Sequence, residues 1–152
     1  MNELSSQQRR RLAVELFNHV WTLLRLEERT PEQEDEMLHA AHASRHHWSE
    51  VGTAANLARG EWQCSRVYAV LGRAEAALYH ARRCLAYCDQ GEVEDWDVPF
   101  AYEALARAYA VAGNWDEAAS CEEEARARGA TIAEEEDRDQ LLADLSSLPR
   151  PI

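Results

Sequence analysis

A segment that occurs twice along the chain places the strongest constraint on its fold. Residues 62–88 read WQCSRVYAVLGRAEAALYHARRCLAYC, and Tyr68 and Gly72 of this segment return 41 positions later as Tyr109 and Gly113. Each glycine lies between two stretches with apolar residues at helical spacing, which predicts a recurring helix–turn–helix unit. Such a unit buries its apolar faces only by stacking on its neighbours, so the repeat favours an α-solenoid over a plain helical bundle.

Apolar periodicity and capping sequences predict about seven helices and no strand, hence an all-α fold of antiparallel helix hairpins. Thr30-Pro31-Glu32-Gln33 has the form of a capping box at the start of a helix, and so has Thr131-Ile132-Ala133-Glu134. We expect one domain over residues 1–148, followed by a tail at 149–152. The expected helix pairs and the capping helix are 5–47, 54–89, 98–128 and 131–146.

Composition limits the classes of partner. All 16 basic residues are arginines, and 28 acidic residues bring the net charge to −12, which disfavours nucleic acid as a general partner. No apolar run approaches the ~20 residues of a membrane span, and the N-terminal sequence has no apolar core typical of a signal peptide. None of the four cysteines forms a CxxC pair. We therefore expect a cytoplasmic protein with reduced thiols and no membrane partner.

The repeated unit resembles the tetratricopeptide repeat, which carries a small residue and an aromatic residue in its first helix, a glycine at the turn, and alanines where the helices touch. The second unit matches at Cys64, Ser65, Tyr68, Gly72 and Ala77. The third unit matches at Leu105, Ala106, Tyr109, Gly113, Ala118 and Ala125. The resemblance covers roughly residues 56–128 and does not extend to the first helix pair. It implies a non-enzymatic binding or adaptor module.

The resemblance also implies a concave groove lined by the first helix of each repeat. Carried onto this chain, the predicted ligand-binding positions are Arg59, Trp62, Arg66, Glu103 and Arg107. Guanidinium groups bind carboxylates and phosphates through paired hydrogen bonds, which predicts an anionic peptide or an anionic small ligand. The alternative interpretation is that these arginines pair with the chain's own acidic residues and require no ligand.

A histidine stripe offers a second hypothesis. His39, His42 and His46 are spaced by three and four residues, so they share one face of a predicted helix. Imidazoles one turn apart can bind one zinc ion or another divalent transition metal, although the remaining ligands must come from another helix. This hypothesis describes a metal-binding protein, with a hydrolase as one form of it. The alternative is a polar helix face without metal.

No catalytic motif accompanies either hypothesis. The chain has no HExxH sequence, no GxSxG elbow and no glycine-rich phosphate loop, so we predict no catalytic residues. A third hypothesis is a self-associating scaffold, in which unpaired apolar surface on the first helix drives the formation of a homodimer.

Overall fold

The computed structural model describes residues 3–152, which form seven α-helices and, within that range, no strand. Met1 and Asn2, the first residues of the expected domain, lie outside the described residues. The helices are α1 (Ser6–Leu24), α2 (Pro31–Val51), α3 (Ala54–Val70), α4 (Ala74–Cys88), α5 (Asp97–Val111), α6 (Trp115–Gly129) and α7 (Glu135–Ser146). The predicted all-α class is therefore confirmed.

Neighbouring helices pack as three stacked hairpins. The most extensive contacts join α1 to α2, α3 to α4, and α5 to α6. The hairpins then stack through α2 on α3 and α4 on α5, and α3 also contacts both α1 and α5. The first helices of the hairpins consequently share one face of the stack, as expected for a helical hairpin solenoid. Within the described residues, no helix combines the length and apolar character needed to cross a membrane.

The two repeated glycines make the tight turns that the sequence predicts. Gly72 and Gly113 have φ angles of 74° and 76°, in the left-handed region that glycine enters at low steric cost. In the first turn, the Arg73 amide donates to the Tyr68 carbonyl at 2.9 Å and the Gly72 amide donates to the Ala69 carbonyl at 3.1 Å. This is the Schellman pattern, which satisfies the free carbonyls at a helix C-terminus.

We expect Gly113→Ala to reduce the free energy of unfolding by about 1–2 kcal/mol, since left-handed backbone costs an alanine roughly that amount. No heavy atom lies within 4 Å of the position that a Cβ atom would occupy, so the loss isolates the backbone effect. Asparagine adopts the left-handed conformation more readily than alanine, so Gly113→Asn should lose less stability than Gly113→Ala. Urea unfolding measures both variants, and an alanine variant as stable as the wild type would contradict the expectation.

The helix starts show where local sequence suffices and where it does not. The Thr30 capping box is confirmed: the Gln33 amide donates to the Thr30 hydroxyl at 3.2 Å, and the Thr30 amide donates to Gln33 Oε1 at 2.9 Å. The expected start of the last helix at residue 131 is wrong, because α7 begins at Glu135. The Thr131 hydroxyl instead donates to the Arg128 carbonyl at 3.1 Å and so belongs to the end of α6.

The last helix closes one end of the stack. Two of its leucines are buried in a cluster with Ala106 and Ala125, together with one apolar residue before the helix and one after it. This cluster includes Ile132, Leu141, Leu145 and Leu148. The close approach of α7 depends on Gly129, since a Cβ atom there would overlap with Leu141 Cδ2.

Candidate ligand-binding groove

An aromatic groove of about 560 Å³ lies between α1, α3, α5 and α7. Five aromatic side chains line it: Phe17, Trp21, Trp62, Trp96 and Phe100. The first helices of the three hairpins supply most of this lining, because their inner faces point to the same side of the stack. The groove therefore lies on the side of the stack that the first helices form.

Trp62 lies at the centre of the aromatic lining. Its ring centroid is 5.5 Å from that of Trp21 and 6.1 Å from that of Phe100, the latter at an interplanar angle of 90°. Edge-to-face geometry of this kind is favourable for aromatic rings and holds Trp62 between α1 and α5. The Trp62 indole nitrogen is buried without a hydrogen-bond partner among the described residues. Satisfying this N–H with a water molecule or a ligand acceptor would be favourable, since unmet buried donors are costly.

Arg59 lines the groove with its charge already paired. Its Nε and Nη2 atoms donate to the two carboxylate oxygens of Asp97 at 3.0 and 2.9 Å. The guanidinium carbon also lies 4.3 Å from the centroid of the Trp96 ring, within the range of a cation–π contact. Because Asp97 is almost fully buried, this paired geometry fixes the start of α5 against α3.

The other three predicted groove residues form a buried charge network beside the groove and do not line it. Glu103, fully buried, accepts from Arg66 Nη2 at 2.7 Å and from Arg107 Nη2 at 3.0 Å. Arg107 also donates to the Asp144 carbonyl of α7 at 2.8 Å, and burial lowers the pKa of its guanidinium. The Asp144 carboxylate lies 3.4 Å from Arg66, and burial raises its pKa. The last helix therefore covers positions that a ligand would otherwise reach.

Several side chains that line the groove were not predicted from the sequence. Trp21 belongs to α1 and Arg25 is the residue that caps its C-terminus, both outside the region of resemblance, and Asp137 and Gln140 come from α7. Arg25 is exposed, has no carboxylate partner within residues 3–152, and stands 5.9 Å from the Trp21 ring centroid. The i, i+4 spacing of Trp21 and Arg25 is the one local signal that places them on a common face.

The three histidines of the stripe lie in different environments: two face solvent and one lies between helices. His39 and His46 are exposed, whereas His42 Nε2 lies 2.8 Å from the Tyr68 hydroxyl and its Nδ1 lies 3.9 Å from Cys64 Sγ. Burial raises the pKa of the Cys64 thiol to about 12, which keeps it protonated at neutral pH. Across residues 3–152, no three histidine, cysteine or acidic side chains are grouped closely enough to hold one ion. Metal binding by the stripe stays a prediction.

We expect His42 to make the stability of the fold sensitive to acid. Burial, and next the neighbouring His80, lower the pKa of His42 below its ordinary value of 6.5. The unfolded chain therefore takes up this proton first, so the contribution of neutral His42 is complete above pH 6.5 and is lost as the pH falls below it. The melting temperature should drop more steeply between about pH 7 and about pH 5 for the wild type than for His42→Gln.

The matched control for this pH prediction is His39→Gln, which changes an exposed histidine on the same helix and keeps His42. Its melting temperature should follow the wild-type slope. Identical slopes for the wild type and His42→Gln would contradict the assignment of the acid sensitivity to His42.

The fold and the groove together define an all-helical protein built from stacked antiparallel hairpins, with an aromatic groove on the side of the first helices. Comparisons of this chain with models of known families, with curated proteins and with solved structures gave no match. The tetratricopeptide likeness therefore depends on the motif residues and the hairpin packing of this chain.

Proposed function

We propose that the chain is a tetratricopeptide-like, non-enzymatic binding or adaptor module whose groove holds a peptide or a small anionic ligand with an aromatic or aliphatic body. Two features support the repeat assignment: the antiparallel hairpins and the glycine turns at Gly72 and Gly113. The ligand assignment derives from the groove itself. Pockets that bind ligands are typically lined by apolar and aromatic groups with a few polar ones.

The observation that carries this proposal is the cluster of five aromatic side chains around one open groove of about 560 Å³. Aromatic rings supply a large apolar contact area, and covering that area stabilises a complex because it removes apolar surface from water. Three of the chain's five tryptophans lie here: Trp21, Trp62 and Trp96. A ligand with an apolar body would cover these rings.

The charges along the groove suggest an orientation for such a ligand. Asp137 and Asp144 of α7 would repel an anionic group at their end. Arg59 and Arg66 already pair with carboxylates, so an anion would have to compete for them. Arg25 lacks such a partner within the described residues and caps the C-terminus of α1. We therefore assign the anionic group to Arg25 and the apolar body to the aromatic centre.

A simple aromatic anion, 2-naphthoate, tests the proposal. We expect the tryptophan fluorescence of the wild type to change as 2-naphthoate is added. Arg25→Gln should weaken the affinity for 2-naphthoate about tenfold, because a charge-assisted hydrogen bond contributes roughly 1.5–3 kcal/mol. The neutral amide of the same ring system should bind the wild type more weakly than the acid does.

The matched control is Arg11→Gln, which removes the same charge from an exposed position on the same helix, away from the groove lining. It should bind 2-naphthoate like the wild type. Equal losses in the two variants would reduce the effect to general charge and contradict the role of Arg25. Undetectable binding to the wild type would contradict the proposed ligand class.

A further inference from the structure

A second cluster of aromatic and charged side chains lies on the other layer of the stack, where α2 and α4 flank α3. We call it the tyrosine–arginine patch, and it is formed by Arg45, Tyr79, His80, Arg82, Arg83 and Tyr87. None of these residues lines the aromatic groove. The proposed groove function gives the patch no role.

Ring contacts join the three helices under the patch. The Tyr79 ring centroid lies 5.0 Å from that of His80, and the His80 ring lies 5.3 Å from His42 across the gap between α4 and α2. The Tyr68 ring of α3 stacks on His80 at 5.4 Å with an interplanar angle of 5°. The aromatic surface is thus continuous across three helices.

Polar contacts fix the geometry of the same surface. The Arg45 guanidinium donates to Glu61 Oε1 at 3.1 Å and to the Tyr87 hydroxyl at 3.0 Å. The other Glu61 oxygen lies 2.5 Å from His80 Nδ1. Burial of Glu61 beneath these contacts leaves its carboxylate little exposed to solvent. A surface held in place before binding loses less conformational entropy when a partner docks.

Unlike Arg45, which pairs with Glu61, the two arginines of α4 at this surface have no carboxylate partner among the described residues. Arg83 lies 4.9 Å from the Tyr87 ring, and the adjacent Arg82 donates to the Tyr109 hydroxyl at 3.2 Å. Neither arginine has an ion-pair partner in the part of the chain that the structure describes, although the net charge of the chain is −12. Tyr79, on the same face of α4, is 59% exposed. Tyrosine and arginine are the residue types that most often anchor protein interfaces.

We infer that the tyrosine–arginine patch docks an acidic segment of a partner protein. Carboxylates of that segment pair with Arg82 and Arg83, while an aliphatic or aromatic side chain covers Tyr79. Charge complementarity favours a short acidic segment over a nucleic acid strand, since a strand that runs beyond the patch meets the acidic remainder of the chain. At physiological salt, screening confines the attraction to groups within about 8 Å.

The probe is a short fluorescein-labelled peptide of alternating glutamate and leucine, and a peptide with glutamine at each glutamate position is its neutral counterpart. Fluorescence anisotropy should show binding of the acidic peptide only. We expect Arg82→Gln with Arg83→Gln to weaken this binding at least about tenfold, and Tyr79→Ser to weaken it by a similar factor.

A double substitution on α6, Arg126→Gln with Arg128→Gln, provides the control. It changes the net charge by the same amount, but both arginines pair with carboxylates one turn away on their own helix. This variant should bind the acidic peptide like the wild type. Equal weakening by the two double variants, or equal binding of the two peptides, would overturn the inference.

Two further outcomes would assign the patch to another occupant and so overturn the acidic-segment inference. One is a molecular mass in solution that increases with protein concentration for the wild type but stays at the monomer value for Tyr79→Ser. That result would identify a second copy of the chain as the occupant of the patch. The other is a single-stranded oligonucleotide that displaces the acidic peptide from the wild type. Circular dichroism of each variant verifies that the helices are retained.

Discussion

Replacing Glu103 with leucine is expected to lower the free energy of unfolding by about 3–5 kcal/mol, the usual cost of removing one partner of a buried ion pair. Glu103 is fully buried and accepts hydrogen bonds from both Arg66 and Arg107. Leucine has a similar volume but leaves two little-exposed guanidinium groups without this carboxylate. Asp144 cannot replace it fully, since its carboxylate lies 3.4 Å from Arg66.

Two companion variants sharpen the Glu103 experiment. Glu103→Gln keeps an acceptor oxygen and removes only the charge, so it should lose less stability than the leucine variant. Glu123→Leu makes the same substitution at an exposed position of α6 without an ion pair among the described residues, and it should stay within about 0.5 kcal/mol of the wild type. Chemical denaturation measures the free energy of unfolding of all three variants. If Glu103→Leu were as stable as Glu123→Leu, the result would contradict the stabilising role of the buried charge network.

Truncating Leu145 to alanine is expected to cost about 2–5 kcal/mol, as for other large-to-small substitutions in a protein core. Leu145 is fully buried and packs in one cluster with Ile132 and Leu141. The cavity left behind would weaken the attachment of α7 to α5 and α6.

The same helix supplies the control for Leu145. Leu142 is 45% exposed, so Leu142→Ala removes equal volume from a largely solvated position and should change stability by less than about 1 kcal/mol. Thermal and urea unfolding compare the two variants under identical conditions. Similar losses from both would mean that α7 packs on the stack through a different face.

Features that depend on residues a few positions apart were predictable from the sequence. The Thr30 capping box and the turns at Gly72 and Gly113 each involve neighbours within one or two helical turns. Stacked hairpins followed from those turns, because a repeated amphipathic unit has few other ways to bury its apolar face. Arg59 and Trp62 were among the positions predicted to face a groove, and both line the groove of the structure. Ligand binding by these two residues stays a prediction.

The start of the last helix shows how a local signal can mislead. Residues 131–134 have the form of a capping box, but the Thr131 hydroxyl bonds to the Arg128 carbonyl of α6, and α7 begins at Glu135. In the structure, the Ile132 side chain of this segment is buried at the end of the stack. Capping contributes about 1 kcal/mol, whereas burying a large aliphatic side chain contributes roughly 1.5–3 kcal/mol, so packing can override the cap.

The sequence by itself determined the class of fold, since periodicity, caps and glycine turns act within short stretches of chain. Only the tertiary structure decided which groups share a site. It placed α7 beside Glu103 and Arg107, brought Arg25 into the groove, and paired His42 with His80 of another helix. The i, i+4 pairs, such as Arg107 with Glu103, follow from helical spacing. The ion pairs between helices, such as Arg59 with Asp97 and Arg66 with Glu103, depend instead on which helix faces pack together, because 28 acidic residues are available to 16 arginines.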